Sequence, residues 1–184
     1  MTMMTSPANT TLRLRPAAAL TCAGITLAML AGCSPQPEPT PTETPLFASE
    51  EEAFAAAEET FREYIAASDV PSDEAKPADF LIGHALESHI DAKRALDVAG
   101  IHFEGVTQVV SFSPLPDTVR SDMGGLAATV CLDLSKARTV NDDGQDVTPA
   151  DRPDRVGMRV EMEVVGQSFM IADELDADNA TCES

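Results

Sequence analysis
The apolar positions along this chain change their period once. Phe54, Ala57, Phe61, Tyr64 and Ile65 recur every three or four residues, which predicts an amphipathic helix. Ser49-Glu50-Glu51-Glu52 forms a capping box at its start, with acidic residues suited to the positive end of the helix dipole. Pro71-Ser72-Asp73 breaks the chain after Ser68. A second helical region runs from near Asp79 to Gly100, a C-cap glycine, with an interruption expected near Gly83; Leu81, Ala85, Leu86, His89, Ala92, Leu96 and Ala99 share its apolar face. Beyond Gly100 the period falls to two. Val106, Val110 and Phe112 are expected on one face of a first strand, and Leu126, Ala128, Val130, Leu132 and Leu134 on one face of a second. In the third, Val156, Met158, Val160, Met162 and Val164 alternate with Arg159, Glu161 and Glu163, the pattern of a half-buried antiparallel strand. Gly166-Gln167 reads as a tight turn into a fourth strand over residues 168–172, and residues 141–154 form a polar, turn-rich excursion. The assembly this predicts is α+β, with N-terminal helices packed on a curved four-stranded antiparallel sheet.

The N-terminal residues follow different rules. Arg13 and Arg15 precede an apolar run over residues 17–30, too short for a membrane span, which needs about 20 apolar residues, but suited to a signal peptide. Leu30-Ala31-Gly32-Cys33 at its end resembles the lipobox of a bacterial lipoprotein. That resemblance implies removal of residues 1–32 and a diacylglycerol on the sulfur of Cys33, two acyl chains being enough for stable anchoring. Residues 34–46 hold five prolines among Thr, Gln and Glu, an extended tether of about 40 Å. Residues 47–184 are the folded domain, and the expected location is the extracytoplasmic face of the cell membrane.

Charge and cysteines narrow the partners. The whole chain carries 12 Lys and Arg against 31 Asp and Glu, a net charge of −19. Every acid follows Cys33 and two of the cations leave with the leader, so the remainder carries ten cations against 31 acids, a net −21. Such a surface repels nucleic acid and favours cationic partners. Of four cysteines, Cys22 goes with the leader and Cys33 to lipid, which leaves Cys131 and Cys182 to form one disulfide in an oxidising compartment, or to remain as two buried thiols.

A capped helix after a Pro/Thr tether, a second helix entering Ala99-Gly100-Ile101, the strand segment Cys131-Leu132-Asp133-Leu134-Ser135, a turn at Asp143-Gly144, and Gly166-Gln167-Ser168-Phe169 followed by Cys182 resemble actinobacterial lipoproteins with an NTF2-like (SnoaL-like) cone fold. The resemblance covers roughly residues 47–183. It implies a sheet curled around helices, with a pocket at the open end in many members. Such members commonly carry tryptophan where Phe169 stands, and this chain has none. Some relatives are isomerases or dehydratases, so the fold does not by itself name an activity.

Few residues offer chemistry to such a cone. His89 lies on the apolar side of the second helix, where a histidine more often bonds a backbone carbonyl than acts as a base. Tyr64, His89 and Gln108 are the candidate pocket residues. His84 and His89 sit about 140° apart around a helix and cannot chelate one ion from one face. Asp142-Asp143-Gly144 and Asp176-Ala177-Asp178 lack the alternating oxygen ligands of a calcium loop, and no Gly-x-Ser-x-Gly or phosphate-cradling glycine loop occurs. Asn179-Ala180-Thr181 matches a glycosylation pattern that has no bearing in most bacteria. No residue pattern calls for a cofactor. The expectation is a non-catalytic binding or accessory module whose partner is an envelope protein, a polymer or a small ligand, with a homodimer across the sheet within reach of the fold. The alternative is an isomerase, dehydratase or hydrolase of small molecules with His89 as its base.

Overall fold
A computed structural model describes residues 46–70, 76–115, 117–120, 122–177 and 182. The leader, Cys33, the tether up to residue 45, the breaker at residues 71–73, Asp178 and the Asn179-Ala180-Thr181 site lie outside these residues. The order is α1 (Glu50–Ser68), a 3-10 turn (Pro77–Phe80), α2 (Gly83–Ala99), β1 (Ile101–Pro114), β2 (Gly125–Asn141), β3 (Arg155–Val165) and β4 (Ser168–Asp176). The four strands form one open antiparallel sheet in chain order, with the helices packed on it, so the class is α+β.

α1 begins as its cap requires. Ser49 Oγ accepts from Glu52 N at 3.2 Å, and Glu52 Oε2 accepts from Ala48 N at 2.8 Å, so one first-turn amide and the amide just before the cap gain partners. Ala53, Ala57, Phe61, Tyr64 and Ile65 are buried against Leu126, Ala128, Val130 and Leu132 of β2, Val160 and Met162 of β3, and Phe169 and Ile171 of β4. Phe169 stacks on Phe47 with ring centroids 5.2 Å apart, which anchors the point where the chain enters the domain. α2 begins at Gly83, after the separate 3-10 turn, and ends where Gly100 adopts φ +64°, a left-handed C-cap. Of its apolar positions only Ala85 is fully buried; α2 packs chiefly on β4, and that packing leaves Ile90 45% and Val98 85% exposed.

β1 departs from a strict period of two. Its pairing with β2 shifts between Val106 and Gln108 and again between Val109 and Ser111. Each bulge resets which face a side chain takes, so Val106 and Val110 are exposed while Phe112 packs against the core, in place of the shared face expected for all three. Gly105 has φ +107°, and a Cβ there would collide with the carbonyl oxygen of Lys136, so the close approach of the two strands admits glycine alone. β1 is an edge strand, and α1 caps the middle of its outer edge: Asp69 Oδ2 accepts from Thr107 N at 2.8 Å and Arg62 Nη1 donates to Val109 O at 3.1 Å. β2 stops pairing with β3 at Asp133, so its remainder and the first half of β1 project as a two-stranded ribbon. β4 runs to Asp176, longer than residues 168–172, because Asp173 to Asp176 continue the pairing with β3 beyond an irregularity at Met162. Cys131, on β2, is disulfide-bonded to Cys182, 51 residues later.

Candidate functional site
Where the ribbon leaves the body of the sheet, a cleft of about 380 Å³ opens. The end of α1 supplies Ser68 and Asp69, β1 supplies Phe103, Glu104, Gly105 and Thr107, β2 supplies Leu134 and Ala137, and the excursion after β2 supplies Arg152. Phe103 is 58% exposed, a large apolar ring left in water beside this opening. The polar side chains are held by backbone. Arg152 Nη2 donates to the carbonyls of Leu134 at 3.0 Å and Ala137 at 2.7 Å, while its buried Nε has no partner among the described residues. Ser68 Oγ donates to Tyr64 O at 2.9 Å, and Asp69 accepts from the Thr107 amide. Glu104 is bound by Arg138 at 2.6 Å, and that hydrogen bond draws its carboxyl below the usual range. The lining includes no histidine, cysteine or tyrosine.

A second cleft of about 310 Å³ lies between the segment after β1 and the strands β2 and β3, lined by Arg120, Arg159, Glu161 and Glu163 among others. Its arginines are already paired, Arg120 with Asp122 at 3.3 Å and Arg159 with Glu161 at 2.9 Å.

The residues singled out in the sequence are dispersed. The Tyr64 hydroxyl, inside the core beside Phe61 and Phe80, donates to Glu174 Oε2 at 3.3 Å. Burial raises the Tyr64 pKa, helped by the Glu174 charge, and burial raises that of Glu174. His89 is half-buried on α2 with no hydrogen-bond partner among the described residues; burial lowers its pKa and Lys93 adds to that. Gln108 is exposed on β1, opposite Asp133. None of these three lines either cleft.

A different histidine has the organised surroundings. His84 Nδ1 donates to Asp173 Oδ1 at 2.8 Å, which raises the His84 pKa and lowers that of Asp173, and in that tautomer Nε2 faces Ser88 Oγ at 3.4 Å. The order Asp, His, Ser matches that of a nucleophilic relay. The group sits in solvent, with His84 65% exposed and outside both clefts, so nothing there positions a substrate or excludes water. Its visible work is to fasten the start of α2 to β4, alongside Ile82 N donating to Ile171 O at 2.9 Å. Among the described residues no three His, Cys, Asp or Glu side chains are grouped to hold a metal ion, and no helix is long and apolar enough to cross a membrane.

No family model matches the sequence, and no curated protein matches it. Among solved structures, the intermembrane-space region of the chloroplast protein ARC6 is similar over 67% of this chain and 96% of its own, with 15% identity and a TM-score of 0.49. Aln2 from a Streptomyces species is similar over 73% of this chain and 96% of its own, with 11% identity and a TM-score of 0.45. Nothing about this chain's activity rests on either likeness.

Proposed function
We propose that this chain is a lipid-anchored envelope protein, held to the extracytoplasmic face of the membrane by diacylglycerol on Cys33, whose domain is an NTF2-like cone that binds a ligand without transforming it. The observation that carries the binding part is the first cleft: apolar walls, fixed charges, and no pair of nucleophile and base among its lining residues. The disulfide between Cys131 and Cys182 supports export, because such bonds persist where thiols are not kept reduced. The lipobox and the Pro-rich tether support anchoring at a distance from the bilayer.

The test is metabolic labelling of the full chain with an alkyne fatty acid in a bacterial host, followed by fractionation. The wild type is expected to carry the label and sediment with membranes, and Cys33→Ser to lose both. Label retained by Cys33→Ser, or a cytosolic wild type, overturns the anchoring.

A further inference from the structure
The arginines of the domain follow one rule with one exception. Arg62, Arg94, Arg120, Arg138, Arg155 and Arg159 each form an ion pair with a carboxylate. Arg152 forms none among the described residues, although acids outnumber cations more than twofold in this chain. Two backbone carbonyls hold its guanidinium instead, and they accept hydrogen bonds without neutralising the charge; Asp146, whose carboxyl is held low chiefly by Thr148, feels that charge without pairing with it. Asp69 is its counterpart, a carboxylate with no ion pair among the described residues, fixed by the Thr107 amide. Both line the same cleft, and they do not pair with each other across it. The apolar part of the same lining is the exposed ring of Phe103, with Leu134 and Ala137. Glu104 does not alter this balance, since Arg138 already holds its charge.

Two opposite, fixed charges without ion pairs of their own, in one cleft with an apolar part to its lining, complement a ligand that carries both charges itself. An anion leaves Asp69 uncompensated, a cation leaves Arg152 uncompensated, and a neutral apolar molecule leaves both to be desolvated without a partner. Because backbone groups already orient both side chains, little ordering is left to oppose binding. We infer that the cleft takes a zwitterionic α-amino acid with an apolar side chain, its carboxylate on Arg152, its ammonium on Asp69 and its side chain against Phe103. This rests on the reading of the domain as a binding module and gives that module its ligand class.

The test is calorimetric titration of the full chain in detergent micelles with L-phenylalanine, N-acetyl-L-phenylalanine and L-phenylalanine methyl ester. Saturable binding of the free amino acid is expected, weakened about tenfold or more when either ligand charge is removed. Asp69→Asn, which still accepts from the Thr107 amide, and Phe103→Ala, which alters an exposed ring, are expected to keep the wild-type melting curve and to weaken binding by a similar factor; Arg152→Met does so from the other side. No saturable heat with L-phenylalanine up to about 10 mM, equal binding of the N-acetyl or ester form, or unchanged binding in Asp69→Asn overturns the assignment. A chain that is labelled at Cys33 yet binds no amino acid loses this inference and retains its anchor.

Discussion
Cutting the bond between Cys131 and Cys182 is expected to cost this domain a large part of its stability. The loop it closes has a sequence separation of 51 and contains all of β3 and β4, so it restrains both strands in the unfolded chain. The chain-entropy relation gives about 4 kcal/mol for such a loop, against a total stability of about 5–15 kcal/mol for a typical domain. A domain of about 135 residues unfolds with an entropy near 0.28 kcal/mol/K, so the melting temperature is expected to fall by about 14 °C. The assay is circular-dichroism melting of the full chain oxidised, reduced with dithiothreitol, and as Cys182→Ala, with free thiols counted in parallel. Reduced wild type and Cys182→Ala are expected to melt together, well below the oxidised protein. Coincident melts with and without reductant would falsify the loop argument. A much larger drop for Cys182→Ala than for reduction would assign the loss to the packing of Cys182, which is 8% exposed.

Two further perturbations test the fold beside the cleft and the polar pair in the core. Gly105→Ala sets a Cβ against the Lys136 carbonyl at φ +107° and is expected to destabilise the ribbon by about 1–3 kcal/mol, read by urea denaturation; a wild-type midpoint would refute the strand approach described here. Glu174 has its pKa raised by burial above its ordinary value of 4.5, so the folded state holds that proton more tightly than the unfolded chain. Its contribution is therefore fully present below pH 4.5 and is lost as pH rises through the raised folded value. Glu174→Gln removes this dependence, so its melting temperature is expected to fall less than that of the wild type between pH 5 and pH 8; parallel curves for the two proteins would refute it.

The helix α1 was legible because its cap and its three-to-four spacing agree and its whole length is backed by the sheet. β2 and β3 were legible for the same reason in the other period, since the alternating apolar face of each packs into the core. β1 misled because two bulges reset its alternation, and a bulge leaves no mark in a hydropathy pattern. The spacing in α2 also overstated its burial, since spacing marks a face and does not say how far a neighbouring strand reaches beneath it. The cleft was not legible. Asp69 lies one residue beyond a helix and Arg152 sits in an excursion that reads as turns, and only the return of β1 and β2 past the end of α1 brings them to one opening. His84 carried a faint signal as a histidine on a polar face, but its partner Asp173 is four elements further along the chain.

The capping of β1 by Asp69 and Arg62 has its main consequence between molecules. A protein tethered to a bilayer meets its neighbours in two dimensions, at local concentrations far above those of the same chain free in solution. An open strand edge under such crowding recruits the next copy and seeds sheets that grow along the membrane. Here one edge has its backbone groups taken in the middle by a helix, and the other, β4, is bridged at Ile171 by Leu81, with the Ile171 carbonyl accepting from Ile82 N. Both borders of the sheet are thus partly taken by the chain's own segments, so copies of this domain held close together find little free backbone along which to join edge to edge.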